Sequence, residues 1–224
     1  MHTIDYRSLL KGKNRRSVLE GLTRAGGMVR FNELHKIVEI PKSSLEYTLT
    51  VLEKRGIIKR ESGSIRLQYT TPLCYLFDSP SAYAYLGLLG EKSEREESET
   101  ETAINLLEGK GFKFERKVVA TTHGAVAEWE NIAHLNIDWC LLSDEEISRV
   151  NMVKEKLLPR LIELVKNYKV VMDCTSATKP ATIAYYQLAA MFKVPLIYVY
   201  EKRRELIWIV SVEDLKKELL SNAT

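Results

Sequence analysis

Three cysteines, four histidines and the lack of any apolar run long enough to cross a bilayer set the first limits on this chain of 224 residues. Cys74, Cys140 and Cys174 are odd in number, far apart and each embedded in apolar sequence. They read as buried thiols and exclude a disulfide scaffold or a zinc cluster. His2, His35, His123 and His134 offer no pair at metal-ligand spacing, so no metal site is expected. There is no G-x-G-x-x-G, no Walker lysine loop and no G-x-S-x-G elbow. That argues against dinucleotide dehydrogenases, P-loop NTPases and ordinary serine hydrolases, and no cofactor is expected. No signal peptide is legible, and the expected location is cytoplasmic, with no membrane partner.

What the chain does have is an ordinary globular share of apolar residues, 45%, and an uneven charge. Residues 1–69 carry 14 Lys and Arg against 7 Asp and Glu, a balance of +7, whereas residues 70–224 come to −4. A basic first third on an acidic remainder suggests a nucleic-acid-binding module joined to something else. Tyr69-Thr70-Thr71-Pro72 interrupts the pattern, which places a boundary there and predicts two domains, 1–69 and 70–224.

In the first domain, Asn14–Ala25 is amphipathic through Val18, Leu19 and Leu22 and stops at Gly26-Gly27. Phe31–Val38 reads as a second helix. After the Pro41 turn, Leu45, Leu49 and Leu52 form the buried stripe of a third, capped by Ser43 or Ser44. Ile57–Glu61 and Ile65–Gln68 flank Ser62-Gly63-Ser64 as a hairpin. The stretch Ile40–Ile58, with its Leu49-x-x-Leu52-x-x-x-Gly56-Ile57-Ile58 ending, resembles the recognition-helix region of winged helix–turn–helix domains. That resemblance implies double-stranded DNA as a partner. Lys42, Ser43, Ser44, Tyr47 and Thr48 would enter the major groove, and Lys59, Arg60 and Arg66 would meet phosphates. Glu46 either accepts from a cytosine amino group or repels the backbone. A winged helix used only for dimerisation or protein contact is the alternative.

From residue 70 onward, short apolar runs alternate with helical patterns. Strands are expected at Leu73–Phe77, Phe112–Thr122, Ile137–Ser143, Val170–Asp173 and Val194–Tyr200. Helices are expected over 82–90, 102–108, 125–135 and 144–168, the last kinked at Pro159, and after residue 178. Leu206–Val210 closes a terminal hairpin, and 214–220 a short helix. The fold class is therefore α/β: an N-terminal winged helix–turn–helix plus a C-terminal Rossmann-like doubly wound sheet with a terminal β-hairpin. The acidic run Glu91–Glu101 reads as a solvated helix face or mobile loop without chemistry.

The most informative stretch is Val170–Lys179, where an apolar strand ends in Asp173, Thr175, Ser176, Thr178 and Lys179 before a helix. Hydroxyls, backbone amides and a lysine at a helix start suit a phosphate. Simple capping explains one or two of the hydroxyls, but leaves Lys179 at a dipole end unfavourable to a cation. Asp78, Ser79 and Ser81 repeat that logic after Leu73–Phe77 and either line the same crevice or form a Ser-Pro turn. His123, just past a strand, is either a ligand or acid–base group or a turn residue.

Asp173-x-Thr175-x-x-x-Lys179, following a buried strand and opening a helix, resembles the ligand motif of CARF domains. These are the Rossmann-like sensors of CRISPR systems, often joined to a winged helix. The resemblance covers Thr71 to about Val212. It implies a homodimeric transcriptional regulator that binds cyclic oligoadenylate across its two-fold axis. Thr175, Ser176, Thr178 and Lys179, with Ser79 and Ser81 opposite, would hold phosphates and riboses, and Asp173 would fix the turn. Ligand would then shift two winged helices relative to their DNA half-sites. Some members of the family cleave the ring without metal, in which case Lys179 and Ser79 would be catalytic. Other readings are a winged-helix regulator sensing another phosphorylated metabolite, and an assembly factor whose sheet only dimerises.

Overall fold

The computed structural model describes residues 4–92 and 96–220. The chain begins with α1 (Tyr6–Leu10), α2 (Lys13–Arg24), β1 (Met28–Arg30), α3 (Phe31–Val38), α4 (Lys42–Lys54), β2 (Ile58–Glu61), β3 (Ser64–Leu67) and α5 (Leu73–Leu76). It continues through β4 (Tyr83–Leu88), α6 (Glu99–Gly109), β5 (Phe114–Thr122), α7 (His123–Glu128), a 3₁₀ segment at Glu130–Leu135 and β6 (Asp138–Leu142). The last part is α8 (Asp144–Ile147), α9 (Val150–Asn167), β7 (Lys169–Asp173), α10 (Lys179–Phe192), β8 (Leu196–Tyr200), β9 (Glu205–Val210) and α11 (Val212–Leu220). Two compact units result, one of residues 4–81, 165–169 and 212–220, the other of 82–164 and 170–211.

In the first unit, α2 ends where Gly26 and Gly27 take φ of 81° and 87°, and the Gly27 amide returns to the Leu22 carbonyl at 2.8 Å. Only glycine enters that backbone region without cost. Val18, Leu19, Leu22, Leu34, Leu45, Leu49 and Leu52 are fully buried in one core with Leu9, Leu10, Ile65, Leu73 and Leu219. The stripes read from the sequence therefore face one another. Ser62 and Gly63, both with positive φ, make the two-residue β2–β3 turn, a backbone pairing that matches hairpin twist. β1, which has no sequence counterpart above, adds to the free side of β3 to give the antiparallel order β1-β3-β2.

The change of unit falls at Ser81–Ala82, beyond the expected boundary at residue 69. Thr70 and Thr71 cap the end of α9: both amides donate to the Val165 carbonyl (2.8 and 3.0 Å), and their hydroxyls to Lys166 and Tyr168 (2.9 and 2.7 Å). α11 completes this unit, burying Leu215 and Leu219.

The second unit is a six-stranded sheet ordered β6-β5-β4-β7-β8-β9. β4, β5 and β6 are mutually parallel, β7 and β8 are parallel, and β9 closes an antiparallel hairpin on β8. Tyr85, Leu89, Val119, Val171, Ile197 and Val199 share one core with Ala103, Ile104 and Leu107 of α6. Ala84, Leu86, Leu88 and Met172 alternate to the opposite face and are equally buried.

Two expected elements are reversed. Leu73–Leu76 is a helical turn: it follows Pro72, and the Cys74 and Phe77 amides bond back to Thr70 and Leu73 at 2.9 and 3.0 Å. The segment 82–90, expected as a helix, carries β4. A central parallel strand is apolar on both faces, so its two-residue period is invisible in the sequence. The helix expected over 144–168 is likewise broken at Ser148-Arg149 into α8 and α9. Pro159 lies inside α9 with its side chain exposed. The expected 125–135 helix is α7 plus the 3₁₀ segment.

Candidate ligand site at the carboxyl edge of the sheet

The chain runs outward from β4 through β5 to β6, returns to β7 beside β4, and runs outward the other way to β8. Where strand order reverses in an open α/β sheet, the carboxyl ends leave a crevice that takes ligands. Gly90 and Ser176 mark that point. A Cβ placed on Gly90 would stand 3.4 Å from the Ser176 carbonyl oxygen and 3.6 Å from its Cβ.

β7 delivers Asp173 fully buried, and three donors converge on it. The Thr175 amide (2.9 Å) and hydroxyl (2.5 Å) meet Oδ1, and the Tyr85 hydroxyl meets Oδ2 at 2.5 Å. Thr175 Oγ1 also accepts from the Val199 amide at 2.9 Å, stitching the end of β7 to β8. Burial pushes the Asp173 carboxyl up to about 6, with the bonds from Thr175 and Tyr85 pulling the other way. The carboxylate is thus ionised at neutral pH and satisfied by its donors. Burial holds the Tyr85 and Tyr185 phenols well above their ordinary range and raises Cys174 to about 12, so these groups stay protonated.

This network settles which hydroxyls remain available. Thr175 is fully engaged within the fold. Thr178 is the N-cap of α10, accepting from the Ala181 amide at 3.4 Å, and Pro180 has no N–H to offer. Ser176 Oγ, by contrast, is buried with no hydrogen-bond partner among the described residues. Lys179, the first residue of α10, is exposed and has no ion-pair partner among the described residues. The turn therefore presents one unsatisfied hydroxyl and one free ammonium.

The other side of the reversal is formed by the segment after β4, where a helix was expected up to Gly90 and a solvated helix face or mobile loop from Glu91 onward. The Gly90 carbonyl accepts from Trp129 Nε1 at 3.0 Å, the Lys92 amide donates to Glu128 at 2.7 Å, and Lys92 Nζ lies 5.5 Å from the Trp129 ring centroid. A signal for it exists: Tyr83–Leu89 is an apolar run that ends abruptly in Gly90-Glu91-Lys92, as β7 ends in its own polar turn. His123 opens α7 at the carboxyl end of β5 and is exposed. Of the acidic run, residues 93–95 lie outside the described residues, and Glu99–Glu101 form the first turn of α6 behind the Ser98 cap.

Asp78, Ser79 and Ser81 stand elsewhere in the chain's path. They precede β4, at its amino end, and belong to the first unit. Ser79 and Ser81 hydroxyls bond each other at 2.9 Å, and the Ser79 carbonyl accepts from Lys169 at 2.6 Å. With Leu73–Leu76 helical, the reason for setting them at a strand's carboxyl end is gone, and Gly90 follows the carboxyl end of β4.

In the first unit, Lys42, Ser43 and Tyr47 of α4 are exposed, Tyr47 at 74%, and Ser44 is half-buried. Thr48 is a correction: it is 4% exposed and donates inward to the Ser44 carbonyl at 2.7 Å, because it shares the buried face with Leu45, Leu49 and Leu52. Arg60 is exposed but already paired, with Glu53 at 2.7 Å and Glu46 at 3.1 Å. The hydrogen bond from Arg60 holds the Glu53 carboxyl below its usual range. Glu46 is thereby accounted for within the fold. Lys59 pairs with Glu61, and Arg66, directly across from Lys59, is exposed. A groove of about 240 Å³ is lined by Lys59, Glu61, Arg66 and also Lys166, which the sequence reading did not single out.

The fold is thus a mixed α/β unit built on a parallel-rich six-stranded sheet, with its free polar groups at the strand reversal. No family model matches the sequence, and no curated protein does. Among solved structures, the chain is similar to protein VC1899 from Vibrio cholerae, at 9% identity and a TM-score of 0.44, over 57% of this chain and 33% of that one. It is similar to Enterococcus italicus Csm6 bound to cyclic hexa-2'-fluoro-hexa-dAMP, at 14% identity and a TM-score of 0.44, over 63% and 40%. It is also similar to Can2 from Sulfobacillus thermosulfidooxidans in complex with cyclic tetra-adenylate, at 12% identity and a TM-score of 0.40, over 58% and 35%. The chain spans between a third and two-fifths of the length of these proteins.

Proposed function

We propose that the chain is a ligand-responsive DNA-binding regulator of a CRISPR system, a homodimer that senses cyclic oligoadenylate. The observation that carries this reading is the pairing of Ser176, a buried hydroxyl without a partner, with Lys179, a free cation on the first turn of α10. A buried hydroxyl left unsatisfied and a cation at the positive end of a helix are each unfavourable alone, and a phosphate diester relieves both. The Asp173-x-Thr175-x-x-x-Lys179 resemblance to CARF domains supplies the ligand class. Asp173 and Thr175 act as the clamp of the turn, and Ser176 and Lys179 as its contacts.

Dimerisation is supported by α10 itself. Ile183, Tyr186 and Met191 are 49%, 51% and 38% exposed and share one helical face that starts one turn after Lys179. A second copy seated on that stripe buries it and sets two equivalent turns about one axis, which suits a closed symmetric nucleotide.

DNA binding is supported by the exposed start of α4, with Lys42, Ser43 and Tyr47, and by the register of the hairpin. Arg66, exposed and directly opposite Lys59, whose charge is shared with Glu61, offers a cation that a phosphate backbone can meet. Coupling between the two activities follows if the ligand binds one dimer arrangement better than another.

The test is calorimetry of cyclic tetra- and hexa-adenylate with wild type and Lys179→Ala, followed by assay of the nucleotide. One ring per dimer, lost in the variant, is the expected result. Linear product in the same samples adds slow ring cleavage to sensing. A free mononucleotide binding twice per dimer points to another phosphorylated metabolite, and no heat with either ring removes the cyclic-nucleotide reading.

A further inference from the structure

The Thr175–Ser176 turn, which follows β7, is held by a group that belongs to the neighbouring strand, β4. Tyr85 reaches Asp173 because its ring lies flat along β4, over Gly87. A Cβ on Gly87 would fall on the Tyr85 ring and hydroxyl, well inside van der Waals contact. Gly87 has ordinary φ, so glycine is needed there for space and not for backbone freedom. The Gly87 carbonyl is meanwhile tied to the Tyr185 hydroxyl at 2.6 Å, which fixes the strand at that point. From Tyr85 the path is continuous: Tyr85 Oη to Asp173 Oδ2, Asp173 Oδ1 to the Thr175 amide and hydroxyl, and Thr175 Oγ1 to the Val199 amide. Every member but Thr175 is fully buried.

We propose that Tyr85, given its place by Gly87, is a positioning residue that sets the Thr175–Ser176 turn through Asp173, and that the ionised form of the clamp is the one that receives ligand. This rests on the reading of the carboxyl edge as a nucleotide site. The physical reason is donor and acceptor matching. All three groups aimed at Asp173 donate to it, so a carboxylate satisfies them together, whereas a carboxylic acid brings its own proton, forces the Tyr85 hydroxyl to turn from donor to acceptor and gives up the charge that strengthens the bonds from Thr175. Protonation therefore loosens the bond that fixes Thr175, and with it the placement of the next residue, Ser176. The other titratable groups facing Asp173 are Glu99 of α6, Tyr185 of α10 and the neighbouring Cys174. Glu99 opposes ionisation, and the tyrosine and thiol stay neutral across the range in question.

Tyr85→Phe removes one donor and keeps the ring, and Gly87→Ala pushes the ring away while keeping the hydroxyl. In ligand-free protein, the Thr175 and Val199 amide resonances are followed by NMR from pH 4.5 to 8.5. Wild type is expected to titrate near 6. Both variants are expected to titrate about one pH unit higher, since a hydrogen bond to a charged group is lost from the ionised form. With cyclic tetra-adenylate as probe, Tyr85→Phe is then about fivefold weaker than wild type at pH 6, where fewer molecules hold the ionised clamp, and equal to it at pH 8.5. Unmoved amide midpoints in both variants overturn the proposal, as does a loss of affinity that is the same at both pH values. If wild type binds no nucleotide while the midpoints still shift, the ligand reading falls and the clamp stands.

Discussion

Replacing Asp173 by asparagine preserves its shape and removes its titration, which makes the buried carboxylate measurable as a contribution to stability. Its folded-state value of about 6 lies above the ordinary 3.8 because burial penalises the charge more than its three donors reward it. The folded protein therefore holds this proton more tightly than the unfolded chain does. The associated stability is complete below about pH 4 and is lost as pH rises through 6. A displacement of roughly two pH units corresponds to about 3 kcal/mol, about half of it already gone by pH 5. Asparagine has no such dependence. Its amide group can face the Tyr85 hydroxyl, which turns to accept, while its oxygen keeps both bonds from Thr175. Urea unfolding of wild type and Asp173→Asn at pH 4, 5, 6 and 7.5 gives the difference directly, because the other carboxyls titrate alike in both proteins. Relative to the variant, wild type is expected to lose about 2.4 kcal/mol between the ends of that range, the remainder of the roughly 3 kcal/mol falling below pH 4. A difference that stays constant within about 0.5 kcal/mol would refute the assignment of a proton-retaining carboxyl to this position.

Ser176→Ala separates binding from stability at one atom: removing a buried hydroxyl without a partner leaves the unfolding free energy unchanged or raises it by up to about 1 kcal/mol, while nucleotide binding weakens. Denaturation and calorimetry on the same sample check both halves. On DNA, Arg66→Ala is expected to reduce the slope of log affinity against log salt by about one, whereas Arg60→Ala, whose guanidinium is already held by Glu53 and Glu46, leaves the slope nearly unchanged. Equal effects of the two substitutions would count against the paired state of Arg60. Thr175→Val leaves the Val199 amide and an Asp173 lone pair unmatched inside the protein, and a loss of about 1–3 kcal/mol in thermal or urea unfolding is the expected result.

The first unit was legible because its helices are amphipathic. Val18, Leu19 and Leu22, or Leu45, Leu49 and Leu52, repeat at helical spacing against polar neighbours, and a surface helix must do this to bury one face. Thr48 was misplaced because a threonine on a buried face hides its hydroxyl on the preceding turn, which spacing alone does not reveal. β7 and its polar turn were legible because the change from Met172 to the Asp173–Lys179 cluster is abrupt. β4 was not, since Tyr83 to Leu89 is apolar on both faces and offers no period. That one error moved Ser79 and Ser81 to the wrong end of a strand and concealed Gly90, Lys92 and the Tyr85–Asp173 bond. Long-range partners of this kind join residues 88 positions apart, and no local pattern encodes them.

The composition of the first unit from three separate stretches has a consequence for how the protein is made. Its core closes only when Leu215 and Leu219 of α11 dock beside α1 and α5. On a ribosome that adds about 5–20 residues per second, the helices up to α5 emerge roughly 7 to 26 seconds before α11 does. For that interval Leu9, Leu10 and Leu73 lack their last cover, and the α9 turn that Thr70 and Thr71 will cap has yet to be synthesised for most of it. The sheet unit, by contrast, closes before α11 appears. The domain that comes first in the chain is therefore the last to mature, and its nascent form is the state in which the protein is most exposed to misassociation and to chaperones.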